Sequence, residues 1–347
     1  MVNILYLSVH DILEYNELQV LKGLGCNVKS LGFLTDPLNP TSTNIGPVPF
    51  LDIDQDFINK AKSFLPPDPR TPYRITDPSI LKDIDLVIVC HSLEHLSLNA
   101  DLFKGKKVIR RTVSQGNSVY EQSFKPFIDG GLKVVRFSSR ENKIPNFQGF
   151  DWVIRPCVSA LKYSADTWTG EHQRLLTVKS SALKLALATQ FYLYKELTWN
   201  GSLLPDTFVG NNNEDVPGCI GKVSDEQLKF LMANHRVGFC LPSRPGSITY
   251  TMIEYMMSGL PIAAFGPILG NSSHPIEGPT YEIHELISNG VDGYCSDNIR
   301  DLRNYIFELF NNKALAKNIG LAGRKTAEKL FSYETASEGW KQVLKDI

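Results

Sequence analysis

What most limits the fold of this chain is a recurring pattern of short, unbroken apolar runs, each the length of a strand. VNILYLSV (2–9), NVKSLGF (27–33), DLVIVCH (85–91), KKVIRRTV (106–113), LKVVRFSS (132–139) and DWVIRP (151–156) fall in the first half. RLLTVK (174–179), DTFVG (206–210), VGFCLPS (237–243), PIAAFG (261–266) and VDGYCSD (291–297) fall in the second. A strand that is apolar on both sides needs cover on both sides, which is the environment of a parallel sheet between helices. Helical spacing appears between the runs, as in DILEYNELQVLKGLG after the first, where Gly23 and Gly25 supply a stop. Strand alternating with helix predicts α/β architecture: two doubly wound, Rossmann-like domains facing a cleft.

The 347 residues are too many for one ordinary core. The pattern breaks in the polar stretch SALKYSADTWTGEHQ. The expected boundaries are an N-terminal domain over 1–156, a linker over 157–172, a C-terminal domain over 173–330 and a last helix over 331–347 that packs back on the N-terminal domain. Further helices are expected over Ala182–Leu197, Asp225–Asn234, Ser247–Ser258 and Tyr281–Ser288. Ligands of open α/β sheets bind beyond the carboxyl ends of the strands, where strand order reverses, so the strand-to-helix loops are the place to seek chemistry.

A formal net charge of −1 gives no support to a protein that coats nucleic acid or anchors through a polybasic segment. No basic lead precedes an apolar stretch at the N-terminus, and no run approaches the ~20 apolar residues of a membrane span. The expectation is a cytoplasmic protein, with peripheral contact to a membrane surface left open. The six cysteines lie far apart without a CxxC pair and read as buried free thiols.

One carboxylate stands out. In SRPGSITYTMIEYMMSGLPIAAFG (243–266), Glu254 interrupts a run that is otherwise apolar. Ser247, Thr251, Glu254 and Ser258 share one helical face, a polar seam on a helix whose other sides are apolar. A buried carboxylate needs a partner. A protein cation would serve, and so would ligand hydroxyls, since a carboxylate can take both hydroxyls of a ribose. The residues alone weigh these readings about equally. Gly246 and Ser247 would open the helix with free N–H groups beside Arg244, a place that favours anions. An anion there and a diol-binding acid further along describe a nucleotide site.

PSRPGSITYTMIEYMMSGLPIAAF resembles the nucleotide-sugar signature of "group 1" GT-B glycosyltransferases. Pro242, Ser243, Glu254, Gly259 and Pro261 match that pattern, while Gly246 stands where the family has a first Glu. The resemblance implies that Glu254 binds ribose, and it leaves the backbone amides of Gly246, Ser247, Ile248 and Thr249 to serve near the donor sugar. GKVSDEQLKFLMANHRVGFCLPS (221–243) is similar to the family segment that meets the donor base, which places Val223 there. LTVKSSALK sets Lys179 and Lys184 five apart at a strand-to-helix turn, where the family neutralises the donor diphosphate. The rival reading is two solvated lysines at a helix start, but a cation there opposes the helix dipole, which favours the phosphate role. The likeness covers about residues 150–345.

In the first half, CHSLEHL puts His91, Glu94 and His95 at a strand end, and RRTVSQGNSVYE does the same for Arg111 and Gln115. Such loops suit an acceptor site, with His91 the candidate catalytic group. The DID triplets at 52–54 and 83–85 lie in the wrong half for a metal motif. The expectation is therefore a retaining, metal-independent transfer of a hexosyl unit from a UDP- or GDP-sugar to a hydroxyl acceptor, with no cofactor beyond the co-substrate. Rival readings are a nucleotide-sugar epimerase of the same fold, a binding protein with weak or no catalysis, and a DNA glucosyltransferase, which the charge does not support.

Overall fold

A computed structural model describes residues 1–42, 45–183, 188–242, 246–272 and 278–347. The chain forms two compact units. The first comprises Met1–Ser139, Asn146–Cys157 and Tyr333–Ile347, and the second Arg140–Pro145 and Val158–Ser332.

In the first unit, β1 (Asn3–Leu7), β2 (Asn27–Leu31), β3 (Leu86–Cys90), β4 (Lys107–Arg111), β5 (Lys133–Arg136) and β6 (Trp152–Val153) make one sheet, ordered β2-β1-β3-β4-β5-β6. Every pairing is parallel, with Ile4 opposite Leu86 and Ile109 opposite Lys133. The central strand β3 is buried along its whole length, as its unbroken apolar sequence LVIVC requires. Helices α1 (Asp11–Gly23), α2 (Gln55–Lys62), α3 (Leu93–Asn99) and α4 (Ser118–Asp129) follow strands or loops, and side chains of His10, Asp54, Ser92 and Asn117 cap them. Strand order reverses between β1 and β3.

The second unit holds β7 (His172–Val178), β8 (Asp206–Val209), β9 (His235–Cys240), β10 (Ile262–Phe265) and β11 (Tyr294–Ser296), again all parallel and ordered β11-β10-β9-β7-β8. Its helices are α5 (Ala188–Thr198), α6 (Asp225–Asn234), α7 (Tyr250–Met257), α8 (Pro267–Gly270), α9 (Ile283–Leu286), α10 (Ile299–Asn311) and α11 (Lys313–Phe331). Order reverses here between β7 and β9. The last helix, α12 (Tyr333–Asp346), packs on α1 and β6 of the first unit.

The stretch expected as a linker over 157–172 has a different character. From Val158 onward it belongs to the second unit, and His172 already opens β7. Tyr163 and Trp168 are buried, and the Trp168 indole donates to the His235 carbonyl at 3.1 Å. Two anchoring rings are hidden there in an otherwise polar composition. All six cysteines are free thiols, and only Cys219 is not fully buried.

Candidate functional site

The reversal point of the second sheet brings together the loops after β7 and β9. Lys179 directly follows β7. Its ammonium donates to the Pro242 carbonyl at 2.8 Å, so it spans the crevice between the two strand ends. Burial pushes its pKa down to about 8. The turn around it is tightly specified. Asn213 donates to the Lys179 carbonyl at 2.7 Å and accepts from the Ala182 N–H at 2.8 Å. Gly210 at the end of β8 has φ +151°, and a Cβ there would lie 2.1 Å from the Lys179 carbonyl oxygen. Only glycine permits that approach. Lys184, Arg244 and Ser243 lie outside the described residues.

Helix α7 begins three residues later than its sequence suggests. The Thr249 hydroxyl accepts from the Met252 N–H at 3.1 Å and acts as the cap. Gly246 and Ser247 therefore precede the helix instead of opening it, and Ser247 and Ile248 are buried. The Ser247 carbonyl accepts from the Glu282 N–H at 2.9 Å. The polar seam shortens to Thr251 and Glu254, with Ser258 as the C-cap, its hydroxyl turned back to the Tyr255 carbonyl at 2.8 Å. Tyr255 ties α7 to β7: its hydroxyl donates to the Leu176 carbonyl and accepts from the Val178 N–H, both at 3.0 Å.

Glu254 has protein partners. The Tyr163 hydroxyl donates to Oε1 at 2.6 Å, and the Lys162 ammonium is 3.5 Å from the same oxygen. Lys162 is shared with Asp225 at 2.8 Å. Among the described residues nothing bonds Oε2, and the side chain keeps 12% exposure. Neither reading of the sequence is thus complete: the acid meets a phenol and a cation through one oxygen and leaves the other available. Val223, half-buried in the loop after β8, stands before the Ser224 cap of α6.

In the first unit the loops after β1 and β3 meet at their own reversal point. His91, just past β3, takes φ +62° and stacks on Tyr120 with ring centroids 4.9 Å apart. Its Nδ1 is buried without a hydrogen bond, and burial, helped by Arg110, lowers its pKa to about 3. The ring is neutral at physiological pH and can accept a hydrogen bond. Glu94 and Gln115 are exposed, Glu94 facing the Ser92 hydroxyl at 3.2 Å. Two acceptor-side candidates are corrected. His95 is almost fully buried, its Nδ1 2.5 Å from Ser92 Oγ and its ring edge-on to Tyr73. Arg111 is fully buried in an ion pair with Glu17 at 2.6 Å. Both sit where helix and sheet pack, which a strand-end position alone does not reveal.

Sequence reasoning missed Tyr163, Lys162 and Asn213. The first two lay in the stretch taken for a linker, and nothing local marks them as partners of a residue about ninety positions away. A separate cavity of about 340 Å³ lies beyond β10 and β11, lined by Gly266, His284 and Asp297 among others. Among the described residues, no three His, Cys, Asp or Glu side chains gather as metal ligands would, and no helix is long and apolar enough to cross a membrane.

No protein-family model matches the chain, and no curated protein does. Solved structures match it over nearly its whole length. Sucrose-phosphate synthase from Thermosynechococcus elongatus superposes with a TM-score of 0.64 at 13% identity, covering 100% of this chain and 99% of that one. A glycosyltransferase from Rickettsia africae ESF-5 gives 0.61 at 17% identity, covering 99% and 98%. Anabaena HepE in complex with UDP and glucose gives 0.64 at 13% identity, covering 100% of both chains. The two parallel sheets and these likenesses establish the GT-B glycosyltransferase fold. The two parallel α/β sheets with their helices are those expected from the sequence.

Proposed function

We propose that this chain is a glycosyltransferase that moves a hexosyl unit from a UDP-sugar to a hydroxyl acceptor, with retention and without a metal. The observation that carries the reading is a buried lysine at the β7/β9 reversal point, bonded to the loop that leads into α7, together with a carboxylate on α7 that has one oxygen unbonded among the described residues. The HepE structure is a complex with UDP and glucose, and uridine is proposed here by analogy of fold.

Cleavage of the anomeric C–O bond leaves negative charge on the departing diphosphate. Stabilising that charge is the protein's main task. Lys179, together with Lys184 and the amides of Gly246–Thr249, is assigned to it. Glu254 is assigned to the ribose hydroxyls and Val223 to the base. In the first unit, neutral His91 is assigned to the acceptor side, with Glu94 and Gln115 as polar neighbours. No cofactor other than the sugar nucleotide is proposed. Cytoplasmic residence, with peripheral membrane contact left open, completes the reading.

A second reading has one observation in its favour: Gly246 supplies no carboxylate where a first acid is expected, which suits a protein that binds sugar nucleotides without turning them over. A calorimetric titration with UDP- and GDP-sugars, paired with an assay for released nucleotide in chelator-treated buffer, separates the readings. Transfer predicts binding and slow release of UDP that Lys179→Ala abolishes. Binding without release supports the second reading, and no binding of any sugar nucleotide overturns both.

A further inference from the structure

We infer that Tyr163 is a positioning residue for Glu254: with Arg324 it fixes the carboxylate so that Oε2 is presented to the ribose hydroxyls of a nucleotide. The inference rests on the ribose role proposed above and names what sets its geometry.

The Tyr163 ring is 4% exposed, so the phenol has little freedom to move. Its hydroxyl donates to Glu254 Oε1 at 2.6 Å, a short charge-assisted bond. Burial and the charge of Glu254 hold the phenol well above its usual pKa, so it stays a donor across the working range. The backbone is held as firmly as the ring. Arg324 on α11 donates through Nη1 to the Tyr163 carbonyl at 2.9 Å and to the Met257 carbonyl, and through Nη2 to the Ala160 carbonyl at 3.3 Å. Its Nε is anchored to Glu328 at 2.7 Å. Met257 is the last residue of α7. One guanidinium thus fastens both the segment that carries the phenol and the end of the helix that carries the acid. Arg324 also satisfies an orphan carbonyl at the C-terminus of α7, where a cation is favoured.

The consequence is steric as well as electrostatic. A Glu side chain has three torsions to settle, and ordering a free one at each binding event costs affinity. Oε1 is restrained by a buried partner, so the direction of Oε2 is set before a ligand arrives. Lys162, 3.5 Å from Oε1, adds charge but on a side chain that is one-third exposed.

The experiment compares affinities for UDP, 2′,3′-dideoxyuridine diphosphate and inorganic pyrophosphate in wild type, Tyr163→Phe and Arg324→Lys. Wild type is expected to prefer UDP over the dideoxy compound by about tenfold or more, as loss of hydrogen bonds to a charged group predicts. Tyr163→Phe should cut that preference to about twofold to threefold and leave pyrophosphate binding unchanged, since the lost restraint concerns only the ribose. A role confined to stability would lower the melting temperature without moving the ratio. Should Tyr163→Phe fail to fold, Arg324→Lys, which keeps the charge but not the fork, is expected to give an intermediate ratio. A wild-type preference retained in full by the folded variants overturns the positioning role alone. A wild type that binds UDP and the dideoxy compound equally removes the ribose role of Glu254, and the inference falls with it.

Discussion

Arg111 illustrates how a single buried charge is misread from sequence. Its guanidinium donates to Glu17 Oε1 at 2.6 Å, and the Tyr6 hydroxyl donates to Oε2 of the same acid at 2.6 Å. Taking away one member of such a pair strands the other without water. Arg111→Met should therefore cost about 3–5 kcal/mol in urea unfolding, with acceptor affinity unchanged once the fraction folded is allowed for. A variant of full stability and altered acceptor affinity would return Arg111 to the site. Glu14 makes a second residue-scale prediction. It is fully buried and accepts from Ser30, Leu34 and Phe33 at 2.7, 2.8 and 3.0 Å. Burial raises its pKa from 4.5 to about 7, its hydrogen bonds offsetting only part of the desolvation. Between those values the folded state holds a proton that the unfolded state has released. The stabilisation is whole below pH 4.5 and is lost as pH rises to 7, by about 3 kcal/mol. The stability of wild type relative to Glu14→Gln should fall across that window. A difference independent of pH would show that Glu14 is ionised throughout.

At the scale of the element, α7 decides the geometry of the second unit's site, and its seat depends on a glycine two strand positions away from the loop. A Cβ on Gly238 of β9 would meet the Tyr255 ring at 2.5 Å and Leu260 Cδ2 at 2.9 Å. Gly238→Ala forces the Tyr255 ring, and α7 with it, off the sheet. The expected cost is about 1–3 kcal/mol by thermal unfolding, together with weaker UDP binding, because Glu254 rides on the same helix. Unchanged binding in a destabilised variant would show that α7 does not carry the nucleotide site. The strands themselves were legible, since buried parallel strands announce themselves as unbroken apolar runs, and so was the burial of α7. Its first turn was not: Gly246 and Ser247 have the composition of a helix start, but the hydroxyl that closes on an N–H three residues ahead belongs to Thr249. The residues assigned to hold Glu254 in place were hidden for another reason. Tyr163 and Arg324 lie 91 residues before and 70 after it, and only the packing of α11 on α7 brings them together.

For the whole molecule, the path of the chain makes the first unit depend on its last residues. The first unit begins at Met1, yields Arg140–Pro145 and then Val158–Ser332 to the second, and is completed only by Tyr333–Ile347. Helix α12 is tied in at several points. The Tyr333 hydroxyl lies 2.7 Å from Asn16 Oδ1 and 2.6 Å from Gln19 Oε1, both on α1, and the Trp152 indole donates to Asp346 at 3.1 Å. Trp340 and Val343 are fully buried, and Gly339 lets the helix approach Ile154 so closely that an added Cβ would sit 3.0 Å from its Cγ1. Trp340→Ala should therefore cost about 3–5 kcal/mol, and the loss should fall on α1, β1 and β6, more than 180 residues away in sequence but in the same unit. Hydrogen exchange gives the decisive readout. Amides of α1 and β6 should exchange faster in the variant, while those of β7, β9 and β10 keep their wild-type protection. If instead the second sheet loses protection and the first does not, α12 stabilises the other unit, and the division of the chain drawn here is wrong.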